Sequence, residues 1–489
     1  MSTQLAPPAA AIAALPLVVD LDGTLIRGDT LAEGLVALLR GARLVPALLV
    51  LLRHGRAAFK RRVAATAPPA AALLPYNDTL LAYLRAQKDA GRQLVLATAA
   101  DRAVADSVAA ELGLFDDVLA SDGETNLKGA AKARALTERF GPGGFAYAGD
   151  SRADLAVWDQ AGAAVLVNAA PDVAARVRAR IPVELAVADR APAVPALWRA
   201  MRPHQWVKNL LVLVPLLTAH AYGDPLAWRG AALAFWAFCA TASAFYLFND
   251  LLDLDADRAH RRKRARAFAS GAASVGAGVA LGAGLLVLGA VLALASGAGV
   301  EIALYAAITL AYSVRLKELP LVDVFCLATL YTLRLFGGGE ASGHLVSLWL
   351  LGFSSFLFLS LALVKRVEEL RGASTALARR GYMAGDAVIL QNFGCASSFA
   401  ACIVLALFVQ NEAQAGNYAS PTLLWGIVPL FLFWQCRLWL STARGYMHDD
   451  PIVYAARDWV SWVVGALLVA LVALVVLAHA VAWLPGAPG

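Results

Sequence analysis

The chain has 489 residues, 60% hydrophobic and 16% charged, with a mean hydropathy of +0.62 and a formal net charge of +6. A soluble protein of this length needs far more polar surface, so most of the sequence belongs in lipid. The positive balance is explained by membrane topology and anionic lipid, with no nucleic acid as partner.

Polarity is uneven along the chain. Up to about Arg199 charges occur throughout, as in a globular α/β domain, and beyond it long apolar runs alternate with short polar connections. We therefore expect an N-terminal domain over 1–181, a linker over 182–200 punctuated by Pro182, Pro192 and Pro195, and a membrane domain over 201–489. Met1 to Leu15 has no basic residue ahead of its Ala-rich stretch, which argues against a secretory signal and keeps the first domain cytoplasmic. Cys239, Cys326, Cys395, Cys402 and Cys436 all fall in apolar segments without metal-ligand spacing and read as packing residues.

Leu17-Val18-Val19-Asp20-Leu21-Asp22-Gly23-Thr24-Leu25 is an apolar strand running into a tight turn, with two carboxylates at alternate positions aimed into one pocket. The segment from Thr30 to Asn77 is helical and carries Arg53, His54, Arg56, Lys60, Arg61 and Arg62. It reads as a small cap that screens the pocket or touches the membrane, or as a plain solvated helical face. Gln93 to Thr98 is a buried-type strand ending in a hydroxyl, Lys128 follows in a loop, and Tyr147-Ala148-Gly149-Asp150-Ser151-Arg152-Ala153-Asp154 ends a third strand with two carboxylates.

Four such motifs in this order resemble the haloacid-dehalogenase phosphatases over about Leu15 to Asn168, implying a Rossmann-like α/β domain with a small helical cap. The resemblance implies roles residue by residue. Asp20 attacks phosphorus, and Asp22 protonates the leaving oxygen and then activates water. Mg2+ is held by Asp20, Asp150, Asp154 and the carbonyl of Asp22, while Thr98 and Lys128 hold the phosphoryl oxygens.

In the second half, apolar runs of spanning length predict about nine transmembrane helices. They lie near 209–223, 229–248, 275–295, 299–314, 319–336, 345–364, 388–410, 421–439 and 459–484. The basic residues gather before the first span and in the even-numbered loops, and the odd-numbered loops contribute only Arg229. This asymmetry predicts a cytoplasmic N-terminus and an external C-terminus in the inner membrane.

Asn249-Asp250-Leu251-Leu252-Asp253-Leu254-Asp255-Ala256-Asp257-Arg258 closes the second span. Asp250, Asp253 and Asp257 recur at steps of three and four, which on a helix makes one acidic face at the membrane surface, suited to Mg2+ and a phosphorylated substrate. A solvated helix end is the plainer alternative. Arg261 to Arg266 follows, for which lipid headgroup contact is an equally good reading. Arg334 stands inside the fifth apolar run, where an unpaired charge costs several kcal/mol; it binds a substrate phosphate, pairs with Asp323, or both. Lys365-Arg366 is explained by topology alone. Tyr446 to Pro451 with Arg457-Asp458 reads as a catalytic patch or as a turn that begins a helix.

Arg202-Pro203-His204-Gln205-Trp206-Val207-Lys208-Asn209, the Asn249 to Arg258 motif and Tyr312-Ser313-Val314-Arg315-Leu316-Lys317 resemble the UbiA superfamily of intramembrane prenyltransferases from about Arg199 onward, and within it most closely the decaprenyl-phosphate phosphoribosyltransferase branch. The resemblance implies a helical bundle with its site at the cytoplasmic mouth. The aromatic prenyltransferases carry a second Asp-rich motif after the fourth span, where this chain offers Lys317, Glu318 and a single Asp323. The chain also departs from the family at Arg261 and Ala267, where the family usually has Pro, which leaves the placement of Lys263 and Arg266 open.

The expected substrates are phosphoribosyl diphosphate and a polyprenyl phosphate. Asp250 and Asp253 carry catalysis, Asn249, Asp250, Asp253 and Asp257 hold Mg2+, and Lys208, Arg258, Lys263, Arg266, Lys317 and Arg334 contact phosphates. The phosphatase half would then remove the 5-phosphate of the lipid product, tethering raising its effective concentration to about millimolar. The alternatives are prenyl transfer to an aromatic acceptor, with a phosphatase of separate substrate, and a lipid carrier or transporter. The last predicts paired half-repeats with broken helices near mid-bilayer, whereas the acidic motif lies at an interface.

Overall fold

The computed structural model describes residues 14–39, 44–372, 381–383, 385–415, 421–447 and 451–482. They divide into two compact units, one formed by Met1–Met201 with Tyr246–Gly282, the other by Arg202–Phe245 with Ala283–Gly489. The residues of the Asn249 motif, expected with the membrane half, thus cluster with the first unit.

Its centre is a six-stranded parallel sheet, β1 (Leu17–Val19), β2 (Leu94–Asp101), β3 (Asp117–Ser121), β4 (Ala146–Gly149), β5 (Ala163–Val167) and β6 (Val183–Val187), in the order β3-β2-β1-β4-β5-β6. Alternation along the strands divides the core between two faces. Leu17, Val19, Leu96 and Ala148 pack on one side, and Val18, Val95, Tyr147 and Leu166 on the other. Strand order reverses at β1, which pairs with β2 through Val18–Val95 and with β4 through Val18–Tyr147. A doubly wound sheet opens its crevice there, beyond the carboxyl ends of the strands, and Asp20, Asp22, Asp150 and Asp154 follow β1 and β4 at that place.

The stretch expected as a linker over 182–200 is instead structured. Val183–Val187 pairs with β5, Glu184 accepts two hydrogen bonds from the Arg92 guanidinium, and Ala193–Ala200 is a helix. Pro182 and Pro192 flank these elements, and Pro195 lies in the first turn of the helix, where a missing N–H costs no helical hydrogen bond. The insert after β1 comprises the helices Thr30–Leu39 and Leu44–Thr66, the second bent at Gly55 (φ 78°), packed together through Leu38, Ala47, Phe59 and Val63.

The second unit is helical. Among the described residues five helices are long and apolar enough to cross a membrane, Pro225–Leu252, Val275–Ser296, Val322–Ser342, Leu348–Arg371 and Asp386–Asn411. A sixth span forms if Pro451–Arg457 and Trp459–Val475, bent by 85°, are counted together. The expected nine are not reached. Gly299–Val314 has 16 residues and Ile427–Ala443 has 17, which at about 1.5 Å per residue fall short of a hydrocarbon core roughly 30 Å thick. The first run, around Pro215, is a 3₁₀ stretch (Pro203–Leu213) followed by five α-helical residues.

Close packing in this unit relies on small residues and on polar contacts between helices. A side chain at Gly394 would lie 2.1 Å from the Trp439 ring, and the indole N–H of Trp439 donates to Ser360 and Ser398. Helices this long and apolar mark the chain as an integral membrane protein.

Candidate functional site

At the switch point of the sheet the carboxylates of Asp20, Asp150 and Asp154 each offer an oxygen within 4.8 Å of the others. The turn after β1 permits this approach because Gly23 has φ +80° and a Cβ there would lie 2.4 Å from the Asp150 carboxylate. Asp154 is fixed by Ser151, whose hydroxyl donates at 2.8 Å, and by Tyr147, whose phenol donates at 2.7 Å. Asp22 lines the same cavity outside this group of three, and its carboxylate accepts from the backbone N–H of Thr30 at 2.8 Å.

Burial governs the electrostatics. Burial, then Asp154 and Asp20, pushes the Asp150 carboxyl up to about 7. Burial, then Asp29, does the same for Asp22, also to about 7. Asp20 is likewise raised by burial and by Asp154, against the pull of Lys132. Three carboxylates gathered around one buried lysine, those of Asp20 and Asp154 buried and that of Asp150 partly so, form a group that a divalent cation fits.

That lysine is Lys132, which sequence reasoning missed. Its ammonium is 2.7 Å from Asp20 Oδ1 and 2.9 Å from the Tyr147 hydroxyl, and it is almost wholly buried. Lys128, the residue expected there, is exposed and lines the same cavity of about 530 Å³. The two lysines are four residues apart, Lys128 in the loop before the helix Ala130–Phe140 and Lys132 within it, so spacing in the sequence alone does not choose between them. Thr98 departs from expectation: it is fully buried, its hydroxyl accepts from the N–H of Ala100, and the cavity is lined instead by Ala99, Ala100 and Asp101. Lys60, from the cap helix, reaches the cavity and donates to the Ala99 carbonyl and to Asn126. Burial lowers its ammonium below the usual value.

The Asn249 motif does not form one uninterrupted helix. Pro225–Leu252 ends before Asp253 and Leu254–Ala259 begins after it, although the N–H groups of Asp253 and Asp257 still bond four residues back. Asp250 and Asp257 are buried and share the Arg266 guanidinium, at 3.1 and 2.8 Å, while Asn249 and Asp253 are half-buried. These carboxylates are not gathered as tightly as Asp20, Asp150 and Asp154. Arg266 thus neutralises the acidic ridge where a phosphate contact was expected. Arg258 is also committed elsewhere: both its terminal nitrogens donate to the Glu33 carboxylate, at 2.8 and 2.7 Å, with both side chains buried. Lys263 is exposed, and Lys317 is half-buried.

In the second unit Arg334 is buried with neutral partners. It donates to Asn209 at 2.7 Å, to the Leu330 carbonyl and to the Tyr305 hydroxyl at 3.2 Å, and lies over the Tyr305 ring at 4.8 Å. Lys208 and Arg334 flank the Tyr331 ring, each at 5.7 Å. The alternative partner, Asp323, is held by Arg366 at 2.5 Å and by the Tyr382 hydroxyl at 2.6 Å. Arg457-Asp458 takes the structural reading: Asp458 accepts from Arg437 and from the N–H of Ser461, starting the last helix. His448, Asp449 and Asp450 lie outside the described residues, as do Arg379 and Arg380.

Residues 17–158 match the haloacid dehalogenase-like hydrolases, and residues 210–447 match the UbiA prenyltransferase family. The chain is 38% identical over 464 residues to y4nM, an uncharacterized protein of Sinorhizobium fredii, a match covering 93% of this chain and 90% of that protein. Nodulation protein NoeC of Azorhizobium caulinodans is 34% identical over 268 residues, covering 53% of this chain and 86% of its own length. Decaprenyl-phosphate phosphoribosyltransferase of Mycolicibacterium smegmatis is 35% identical over 184 residues, which is 36% of this chain and 58% of that protein. The chain is therefore a fusion, belonging to the haloacid dehalogenase-like hydrolases through its N-terminal half and to the UbiA prenyltransferase family through its membrane half.

Proposed function

We propose that this protein is a two-step membrane enzyme that transfers 5-phosphoribose from phosphoribosyl diphosphate to a polyprenyl phosphate and then removes the 5-phosphate, leaving polyprenyl-phosphoryl ribose. The observation that carries the reading is the carboxylate group of Asp20, Asp150 and Asp154, with Asp22 lining the same cavity, in the same chain as a UbiA-family domain. The partial likeness to decaprenyl-phosphate phosphoribosyltransferases supports the substrates.

In the transfer, a phosphate oxygen of the lipid forms a bond to the anomeric carbon of ribose as the bond to diphosphate breaks. Lys208 and Arg334 supply positive charge in a buried setting, and among the described residues Arg334 has no carboxylate hydrogen-bond partner, so a substrate phosphate completes its neutralisation. Asp323, engaged by Arg366 and Tyr382, favours this reading over prenyl transfer with a second acidic cluster.

In the hydrolysis, the Asp20 carboxylate attacks phosphorus and Asp22 gives its proton to the departing 5-oxygen. An Asp22 raised to about 7 keeps a protonated fraction at neutral pH, and the Thr30 N–H holds it in orientation. Lys132 holds the Asp20 carboxylate ready for attack. Water then cleaves the aspartyl-phosphate, its proton returning to Asp22. Asp20, Asp150 and Asp154 would hold Mg2+, whose charge would lower the repulsion between nucleophile and phosphate.

The test is incubation of the purified protein with Mg2+, phosphoribosyl diphosphate and polyprenyl phosphate. Asp20→Asn accumulates the 5-phosphorylated lipid and Asp253→Asn makes no product. An unchanged product profile for Asp20→Asn refutes the sequence of steps.

A further inference from the structure

The cap helix Leu44–Thr66 is apolar on two sides, and among the described residues only one of them is covered. Ala47 packs with Leu38, Phe59 and Val63. Val45, Leu48, Leu49 and Leu52 point outward, with Leu52 81% exposed. Their spacing of three, four and seven makes a single stripe along one face. Contiguous apolar surface of this kind marks a surface that something else covers.

The charge around the stripe says what covers it. No acidic residue occurs between Glu33 and Asp78, while Arg40, Arg43, Arg53 and Arg56 stand within a few residues of the stripe in the sequence. Arg53 and Arg56 follow the stripe directly and are exposed. An apolar face bordered by cations and free of acids is complementary to anionic headgroups above acyl chains. Within the first unit the cavity of Asp20 is lined both by this helix, through Lys60, Val63 and Ala64, and by Ser274, Val275 and Gly276 at the start of the spanning helix Val275–Ser296. The cap helix and the first residues of the apolar helix Val275–Ser296 therefore border one cavity.

We propose that the outward face of the cap helix, Val45, Leu48, Leu49 and Leu52, lies in the surface of an anionic bilayer, with Arg53 and Arg56 on its phosphates. This docking is independent of which phosphate ester the cavity takes. Its consequence is that the cavity faces esters carried in the bilayer more readily than esters free in water.

The full-length protein carrying Leu52→p-benzoylphenylalanine, placed in vesicles and irradiated, reports what touches the stripe. The expected result is a covalent phospholipid adduct, its yield at least about threefold higher with one-third anionic phosphatidylglycerol than with neutral lipid alone. The same probe at Asp89→p-benzoylphenylalanine gives no adduct, and hydrolysis of p-nitrophenyl phosphate by both variants shows that the domain is folded. Arg53→Glu with Arg56→Glu in the Leu52 probe background abolishes the gain from anionic lipid. A cross-linked dimer in place of the lipid adduct assigns the face to a second copy and overturns the proposal. Absence of an adduct at 52, equal yields at 52 and 89, or equal yields in neutral and anionic vesicles overturns it as well.

Discussion

Replacing Lys132 by Met separates the two lysines available to the phosphatase site. Lys132 donates to Asp20 and to Tyr147 at ordinary hydrogen-bond lengths in a buried position, and Lys128 lies exposed at the cavity wall. A hydrogen bond from a charged group contributes about 1.5–3 kcal/mol. With two such bonds lost and part of that energy already expressed in the ground state, about 2–4 kcal/mol of transition-state stabilisation disappears, or roughly 30- to 1,000-fold in kcat/KM. Lys128→Met should cost about tenfold or less, expressed mainly in KM, because an exposed ammonium remains largely hydrated. The assay is hydrolysis of p-nitrophenyl phosphate by the full-length protein in detergent with saturating Mg2+. If Lys128→Met proves the more damaging, and Lys132→Met stays within about fivefold of the unmodified enzyme, the assignment of Lys132 as the group that holds the nucleophile is wrong.

Three further outcomes follow from the same contacts. Glu33→Ala or Arg258→Ala leaves the other charge buried and should destabilise the first unit by about 3–5 kcal/mol, while the double variant loses clearly less than the sum; additive losses in thermal melts would refute the coupling. Asp150, raised to about 7, keeps its proton in the folded metal-free protein at pH values where the unfolded chain has lost it, so stability from this group is present at low pH and is lost as pH rises through about 7. Added Mg2+ should therefore raise the melting temperature more at about pH 8 than at about pH 5.5, and an equal rise at both would contradict the assigned cation site. Arg334→Lys cannot reach Asn209, Leu330 and Tyr305 together, and should weaken use of phosphoribosyl diphosphate about tenfold or more, measured as labelled ribose entering the lipid fraction. Retained activity would remove Arg334 from the site.

Much of this protein is local, and what is local was legible in the residues alone. Asp20 and Asp22 follow a strand whose alternation is visible in Leu17, Val18 and Val19, and Gly23 supplies a turn that no side chain permits, so the carboxylate pocket could be placed from the sequence. The apolar runs of the second half likewise announce a membrane protein because burial in lipid is a property of composition. The number of spans was less legible, since hydropathy counts apolar residues and does not register where a helix such as Gly299–Val314 stops.

Pairing across the chain was decided only by packing. Lys132 rather than Lys128 meets Asp20 because the helix Ala130–Phe140 turns Lys132 inward, while Lys128 stands exposed in the loop before the helix begins. Arg258 meets Glu33 across 225 positions, Arg266 joins Asp250 to Asp257, and Asp323 chooses Arg366 over Arg334. A buried charge takes whichever partner lies within a few ångströms and satisfies its hydrogen bonds, and that distance exists only once the helices have packed.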